Sequence, residues 1–199
     1  WLPIPIVHGM TLGELALMVN GEGWLPGSRK CDLAVIKCKN YTHQTRYQLP
    51  IPPSPNLPNM KSIYLYPSTC FFEATPVSLG RGTSLPFQVY GHPNMTGYNY
   101  SFTPRSIPGA KNPPQLNKLC HGVDLSNMSD EEIWKRGVDL TYVIDAYRNL
   151  NLDDHFFRSF FELLVGKDYV RKMIKEGKSA DDIKAMWKGD VEKFKAQRK

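Results

Sequence analysis

A solitary carboxylate stands inside a long basic stretch of this 199-residue chain. Between Asp32 and Asp124, Glu73 is the sole Asp or Glu, while the same interval holds eight Lys or Arg: Lys37, Lys39, Arg46, Lys61, Arg81, Arg105, Lys111 and Lys118. Glu73 directly follows Cys70-Phe71-Phe72, and Arg81 lies in the turn Gly80-Arg81-Gly82-Thr83. A carboxyl drawn out of water by apolar neighbours keeps its proton to higher pH and can serve as an acid. A guanidinium offers a planar, bidentate grip on an anion, and flanking glycines let backbone approach a ligand closely. A Glu73–Arg81 ion pair bracing the loop would leave the same trace in sequence, so site and strut both stand. Two further side chains could join such a site. His8 comes just ahead of a helix start, where the dipole favours an anion, although a structural histidine is the commoner outcome. Asn56 stands between prolines and could present its amide to a ligand, or simply close an Asx turn.

The elements that must position these residues are marked by proline. Thirteen of the sixteen prolines fall between Pro50 and Pro114 and none follows. Pro50, Pro52, Pro53, Pro55 and Pro58 rule out helix and inner strand and predict a rigid, extended surface segment. The runs Ile63-Tyr64-Leu65-Tyr66 and Cys70-Phe71-Phe72 suit a buried strand, as do Asp32–Cys38 and Leu85–Tyr90. Residues 94–120 form a long irregular stretch whose Tyr98, Tyr100 and Phe102 alternate as in a short strand, with stacking on a sugar face as the other reading. Thr11-Leu12-Gly13-Glu14 has the form of a capping box, with Leu12, Leu15, Ala16 and Val19 at helical spacing and a stop at Asn20-Gly21. After Asp124 helix signals take over. They comprise a start at Ser129, a helix over Asp139–Leu150, and one over Asp153–Leu164 whose Phe156, Phe157, Phe160 and Phe161 face the core. A last helix is capped by Ser179 and carries Ile183, Trp187, Val191 and Phe194. The pattern predicts an α+β fold, with a small mixed sheet under proline-rich loops and C-terminal helices behind. Strand order and pairing do not follow from it.

Charge is partitioned. Up to residue 123 there are ten Lys+Arg against four Asp+Glu, and from Asp124 onward fifteen of each, so the whole net charge of +6 sits in the proline-rich part. An acidic sugar or peptide fits that excess; nucleic acid fits poorly, because no nucleic-acid motif accompanies the scattered basic residues. Cys31, Cys38, Cys70 and Cys120 lack metal-site spacing, so no metal and no cofactor are expected, and free buried thiols are the default. No apolar run reaches the roughly 20 residues of a membrane helix, and no signal peptide is visible. The opening Trp1 gives the expectation of a processed or trimmed chain.

The motifs PSPNLP, FFEAT, GRGT and PFQVYG, preceded by HGMTLGEL, occur in an order that resembles the exo-β-N-acetylmuramidases of bacterial cell-wall recycling. Ala74, Leu79 and Ser68 depart from the usual glycine, glutamate and glycine of that pattern, and Pro76 from a usual asparagine. The resemblance implies a glycosidase that removes terminal N-acetylmuramic acid from the non-reducing end of peptidoglycan fragments, in the periplasm or outside a bacterial cell. It implies residues 1–28 as the end of an N-terminal Rossmann-like domain otherwise largely absent, and 29–199 as a C-terminal α+β domain. That domain would supply part of a cleft, inactive alone, with its own N-terminal domain as partner. Glu73 and His8 become the catalytic candidates, and Arg81, Asn56, Ser54 and Thr83 the substrate-binding ones, Arg81 suiting the lactyl carboxylate. A non-catalytic carbohydrate-binding module, or a domain that only stiffens its neighbour, remains the competing class, since no second acid lies near Glu73.

Overall fold

The computed structural model describes residues 2–198. Internal contacts divide the chain into Trp1–Gln48 with Ala185–Lys199, and Leu49–Lys184. Each unit is built around a different sequence signal.

In the first unit, helix α1 (Leu12–Gly21) begins where the capping box predicts: Glu14 N–H donates to Thr11 Oγ1 at 3.2 Å and Thr11 N–H to Glu14 Oε2 at 2.7 Å. Beyond the helix, the Asn20 carboxamide clamps Cys31, donating to its carbonyl at 3.0 Å and accepting from its N–H at 2.9 Å. The expected strand over Asp32–Cys38 does not form. Apart from half-buried Leu33 these residues are exposed, and with no neighbouring strand to complete a ladder an apolar run has no reason to become one. No residue from 2 to 48 is buried among the described ones.

In the second unit the proline segment up to Asn59 is largely exposed and neither helix nor inner strand, but it is not the extended run expected: Leu57 N–H donates to Ser54 O at 2.9 Å, closing a turn over Pro55-Asn56. Two predicted strand runs are instead one helical rod: α2 (Met60–Thr69), continued by a 3₁₀ turn over Cys70–Ala74. The cause lies in a reciprocal cap. Ser62 N–H donates to Asn59 Oδ1 at 2.9 Å and Asn59 N–H to Ser62 Oγ at 3.4 Å, satisfying the free donors of a helix start. A short apolar run alone is compatible with either state. Pro67, which has no N–H to donate, sits just before the α-helix tightens.

The sheet is small. Strands β1 (Val89–His92), β2 (Tyr100–Phe102) and β3 (Cys120–Asp124) lie in the order β1-β3-β2, antiparallel at both seams. Val89, Phe102 and Cys120 form a buried cluster on it, with Leu85 and Tyr100 against them, so the strand read from Tyr98, Tyr100 and Phe102 forms over the last two, with Tyr98 outside it. β1 starts later than the predicted Leu85–Tyr90, because Gln88 N–H turns back to Leu85 O at 3.1 Å and Phe87 is left-handed at φ +59°.

Helices α3 (Asp130–Arg136), α4 (Thr141–Leu150), α5 (Phe161–Val165), α6 (Tyr169–Lys175) and α7 (Ala180–Gln197) follow. Ser129 and Ser179 cap α3 and α7 as predicted. The continuous helix expected over Asp153–Leu164 is broken, with Asn151 and Asp153 at positive φ and a single 3₁₀ turn at Asp153–His155. Three of its four phenylalanines still face the core: Phe156, Phe157 and Phe161 are buried, with Phe157 and Phe161 ring centroids 4.5 Å apart, while Phe160 is half-buried. The α+β class is therefore the one the sequence predicts. No described helix is long and apolar enough to cross a membrane.

Candidate functional site

Glu73 is placed by the two phenylalanines before it. Phe71 packs on Phe161 at 6.4 Å between centroids, and Phe72 stacks on Tyr90 at 4.8 Å and 22°. Both rings are essentially inaccessible, and burying each is worth about 2–3 kcal/mol. Tyr90 is tied in turn to α4, its hydroxyl donating to Asp145 Oδ2 at 2.8 Å, an acceptor shared with the Tyr98 hydroxyl at 2.8 Å. With its neighbours so fixed, the half-buried Glu73 side chain has little choice of direction. Loss of water pushes its pKa above the usual carboxylate range, and the positive charge of Arg81 pulls it back in part.

Arg81 is presented by a turn in which both glycines are left-handed, Gly80 at φ +78° and Gly82 at φ +84°. Thr83 locks the turn: its N–H and hydroxyl both donate to Gly80 O, at 3.1 and 2.7 Å, and its hydroxyl accepts from Leu85 N–H at 3.0 Å. Thr83 is thus committed to the turn itself. Arg81 Nε is buried without a hydrogen-bond partner, and the Glu73 carboxylate accepts no hydrogen bond from a described residue. The two groups feel each other electrostatically without closing the ion pair that a strut would need.

The proline segment and the glycine turn are both pinned by the long loop between β2 and β3. Asn56 Nδ2 donates to Gly109 O at 3.0 Å, and Arg105 N–H donates to Gly82 O at 2.9 Å. Gln115 Nε2 reaches Pro76 O at 2.8 Å. Ser54 closes a local turn, its hydroxyl accepting from Asn56 N–H at 3.2 Å. Asn56 therefore makes a contact across 53 residues rather than the Asx turn foreseen.

His8 belongs to the first unit. Its Nδ1 accepts from Met10 N–H at 3.1 Å, which leaves Nε2 as the proton-bearing nitrogen of the neutral ring, and its carbonyl accepts from Arg198 Nη1 at 2.7 Å. The capping reading of Glu14 holds, with His43 also 2.7 Å from its carboxylate. No group of three or more His, Cys, Asp or Glu suited to a metal ion occurs among the described residues.

Two residues beside Glu73 were not singled out by sequence. Tyr66 on α2 and Cys70 at the start of the 3₁₀ turn are spaced four residues apart, and Cys70 and Glu73 three apart within that turn, so all three share one face. Burial raises the Cys70 thiol to about 12, with the Glu73 charge adding to it, so this thiol is inert. The 4-then-3 spacing was readable only once the run was known to be helical.

Residues 64–199 match the family described as exo-beta-N-acetylmuramidase NamZ, C-terminal, and residues 1–61 match its N-terminal counterpart. The chain belongs to the NamZ family. In NamZ terms, His8, Ser54 and Asn56 fall in the N-terminal match, and Glu73, Arg81 and Thr83 in the C-terminal one. The peptidoglycan beta-N-acetylmuramidase NamZ of Bacillus subtilis (strain 168) is 34% identical over 99% of this chain. A DUF1343 family protein from Bacteroides fragilis NCTC 9343 is 83% identical over 99% of the chain, with a TM-score of 0.97. A second protein of that description from the same strain is 25% identical over 98% of the chain, with a TM-score of 0.73. The chain spans 50% of the length of the Bacillus relative and 56% of each solved chain.

Proposed function

We propose that this chain supplies part of the active site of a glycoside hydrolase that releases terminal N-acetylmuramic acid from the non-reducing end of peptidoglycan fragments. Kinship to an enzyme named as a peptidoglycan beta-N-acetylmuramidase supports the reaction class. The observation that carries the role of this chain is Glu73: a half-buried carboxyl with raised pKa, its oxygens uncommitted, beside an arginine that does not close on it.

Cleavage of a glycosidic bond needs a proton for the departing oxygen and a nucleophile or base for the anomeric carbon. Glu73 gives its proton to the leaving oxygen as the bond to the anomeric carbon breaks, a water oxygen bonds to that carbon, and the proton the water sheds restores Glu73. Burial keeps that proton in place nearer neutral pH than an exposed glutamate would, which is the condition for an effective acid. Arg81 grips the lactyl carboxylate of the sugar with its guanidinium. Asn56 and Ser54 hold the proline wall, and Asn56 Oδ1 remains available to a sugar hydroxyl or amide. Thr83 serves by holding Arg81. With peptidoglycan as its substrate, the enzyme would work in the periplasm or outside the cell.

The test uses the full-length protein and a saccharide with N-acetylmuramic acid at its non-reducing end, following release of the free sugar. Glu73→Gln lowers kcat by about 10²–10⁴-fold. Arg81→Ala lowers kcat/KM by about 10–100-fold, the worth of a charged hydrogen bond, and the loss disappears on a substrate without the lactyl group. Undiminished turnover by Glu73→Gln overturns the assignment. Saccharide binding without any release by the wild type would instead establish a carbohydrate-binding module.

A further inference from the structure

In the second unit the hydroxyls of Tyr90 and Tyr98 donate to Asp145, and that of Tyr142 reaches Met128 Sδ at 3.5 Å. Tyr66 stands on the helix that leads to Glu73. It is 38% exposed, and its hydroxyl makes no hydrogen bond to a described residue. Yet its ring is held firmly, against Phe87 at 5.1 Å between centroids. Phe87 is buried and sits at φ +59°, a conformation that a bulky side chain adopts only when its surroundings force it. Here they do: Phe87 N–H donates to Leu79 O at 2.7 Å, closing the loop that carries Arg81, and its own carbonyl accepts from Thr69 Oγ1 at 3.5 Å. The loop that presents Arg81 therefore also anchors the ring of Tyr66. Tyr66 in turn shares a helix face with Glu73.

We propose that Tyr66 is a further substrate-contacting residue of the Glu73 site, its phenol O–H donating a hydrogen bond to an oxygen of the bound sugar; this rests on the glycosidase reading above. A ring packed on Phe87, a side chain 38% exposed and no described acceptor for its hydroxyl make a donor ready for a ligand, with little side-chain freedom to lose on binding. Burial and the Glu73 charge hold the phenol protonated, which keeps it a donor and excludes it as a nucleophile.

The test is Tyr66→Phe in the full-length protein, which deletes the O–H and keeps the ring on Phe87, run beside Glu73→Gln. Expected are an unchanged melting temperature, a roughly tenfold loss in kcat/KM, and a roughly tenfold weaker competitive inhibition by free N-acetylmuramic acid. Wild-type kinetics in Tyr66→Phe with Glu73→Gln inactive overturns the role of Tyr66 alone. A matching loss of activity and melting temperature makes Tyr66 a structural residue and overturns it too. Full activity in Glu73→Gln removes the site reading itself and Tyr66 with it.

Discussion

Replacing Gly82 by alanine puts the positioning of Arg81 to a quantitative test. At φ +84° an L side chain costs about 1–2 kcal/mol from its own backbone. A Cβ there would also stand 2.8 Å from Pro113 Cγ and 3.0 Å from Arg105 N, and closer still to the Arg105 carbonyl oxygen. Two of those atoms are backbone, held by the hydrogen bond from Arg105 N–H to Gly82 O, so they cannot step aside as a flexible side chain would. Overpacking of this kind adds about 1–3 kcal/mol, for a total of about 2–5 kcal/mol. For a chain of this size, that corresponds to a fall in melting temperature of about 4–20 °C. Gly97 provides the control. It has nearly the same dihedral, φ +83°, with nothing within 4 Å of the added carbon. Gly97→Ala should therefore show the backbone term alone, about 2–8 °C. Thermal melts of both variants by circular dichroism, with saccharide turnover in the full-length protein, decide the matter. Equal losses in the two variants would refute the claim that contact with the β2–β3 loop fixes the Arg81 turn.

Three further outcomes are expected. Because the folded-state pKa of Glu73 is raised, its contribution to stability is fully present below the unfolded value, about 4.3, and is lost as pH rises through the folded value. Melting temperatures of wild type and Glu73→Gln should then coincide in acid and diverge toward neutral pH, the glutamine variant being the more stable. A wild-type advantage that grows with pH would mean a closed ion pair with Arg81. Asp145→Ala leaves the Tyr90 and Tyr98 hydroxyls without their acceptor and should cost about 2–4 kcal/mol in urea unfolding; a change under about 0.5 kcal/mol would sink the tie between α4 and the Phe72 stack. Of the four free thiols, exposed Cys31 and Cys38 should react with a maleimide in the native state, while Cys70 and Cys120 react only on unfolding. Labelling of either buried thiol in the native protein would contradict the fold around Glu73.

Local chemistry was legible in the residues themselves. The Thr11/Glu14 box, the Ser129 and Ser179 caps and the helix over the 140s need only groups within a few positions of each other, and they form as read. That the proline segment forms neither helix nor inner strand likewise follows from a fixed φ and a missing donor, although its turn at Ser54–Leu57 does not. The phenylalanines near residue 160 declared themselves as core, although not the break in the helix carrying them. Where the outcome depended on what stands across space, the residues alone could not decide. Asp32–Cys38 has the composition of a strand and no partner to become one. Residues 63–72 are apolar enough for either state and are helical because Asn59 and Ser62 cap them and because Phe71 and Phe72 find separate ring partners. The same holds for the site. The lone Glu73 and the glycine-held Arg81 were visible as a pair, but only tertiary structure decides that they sense each other without joining, and that Tyr66 stands beside them. Desolvation and Coulomb interaction depend on distances between atoms far apart in the chain, and those distances are set by the packing of the whole unit.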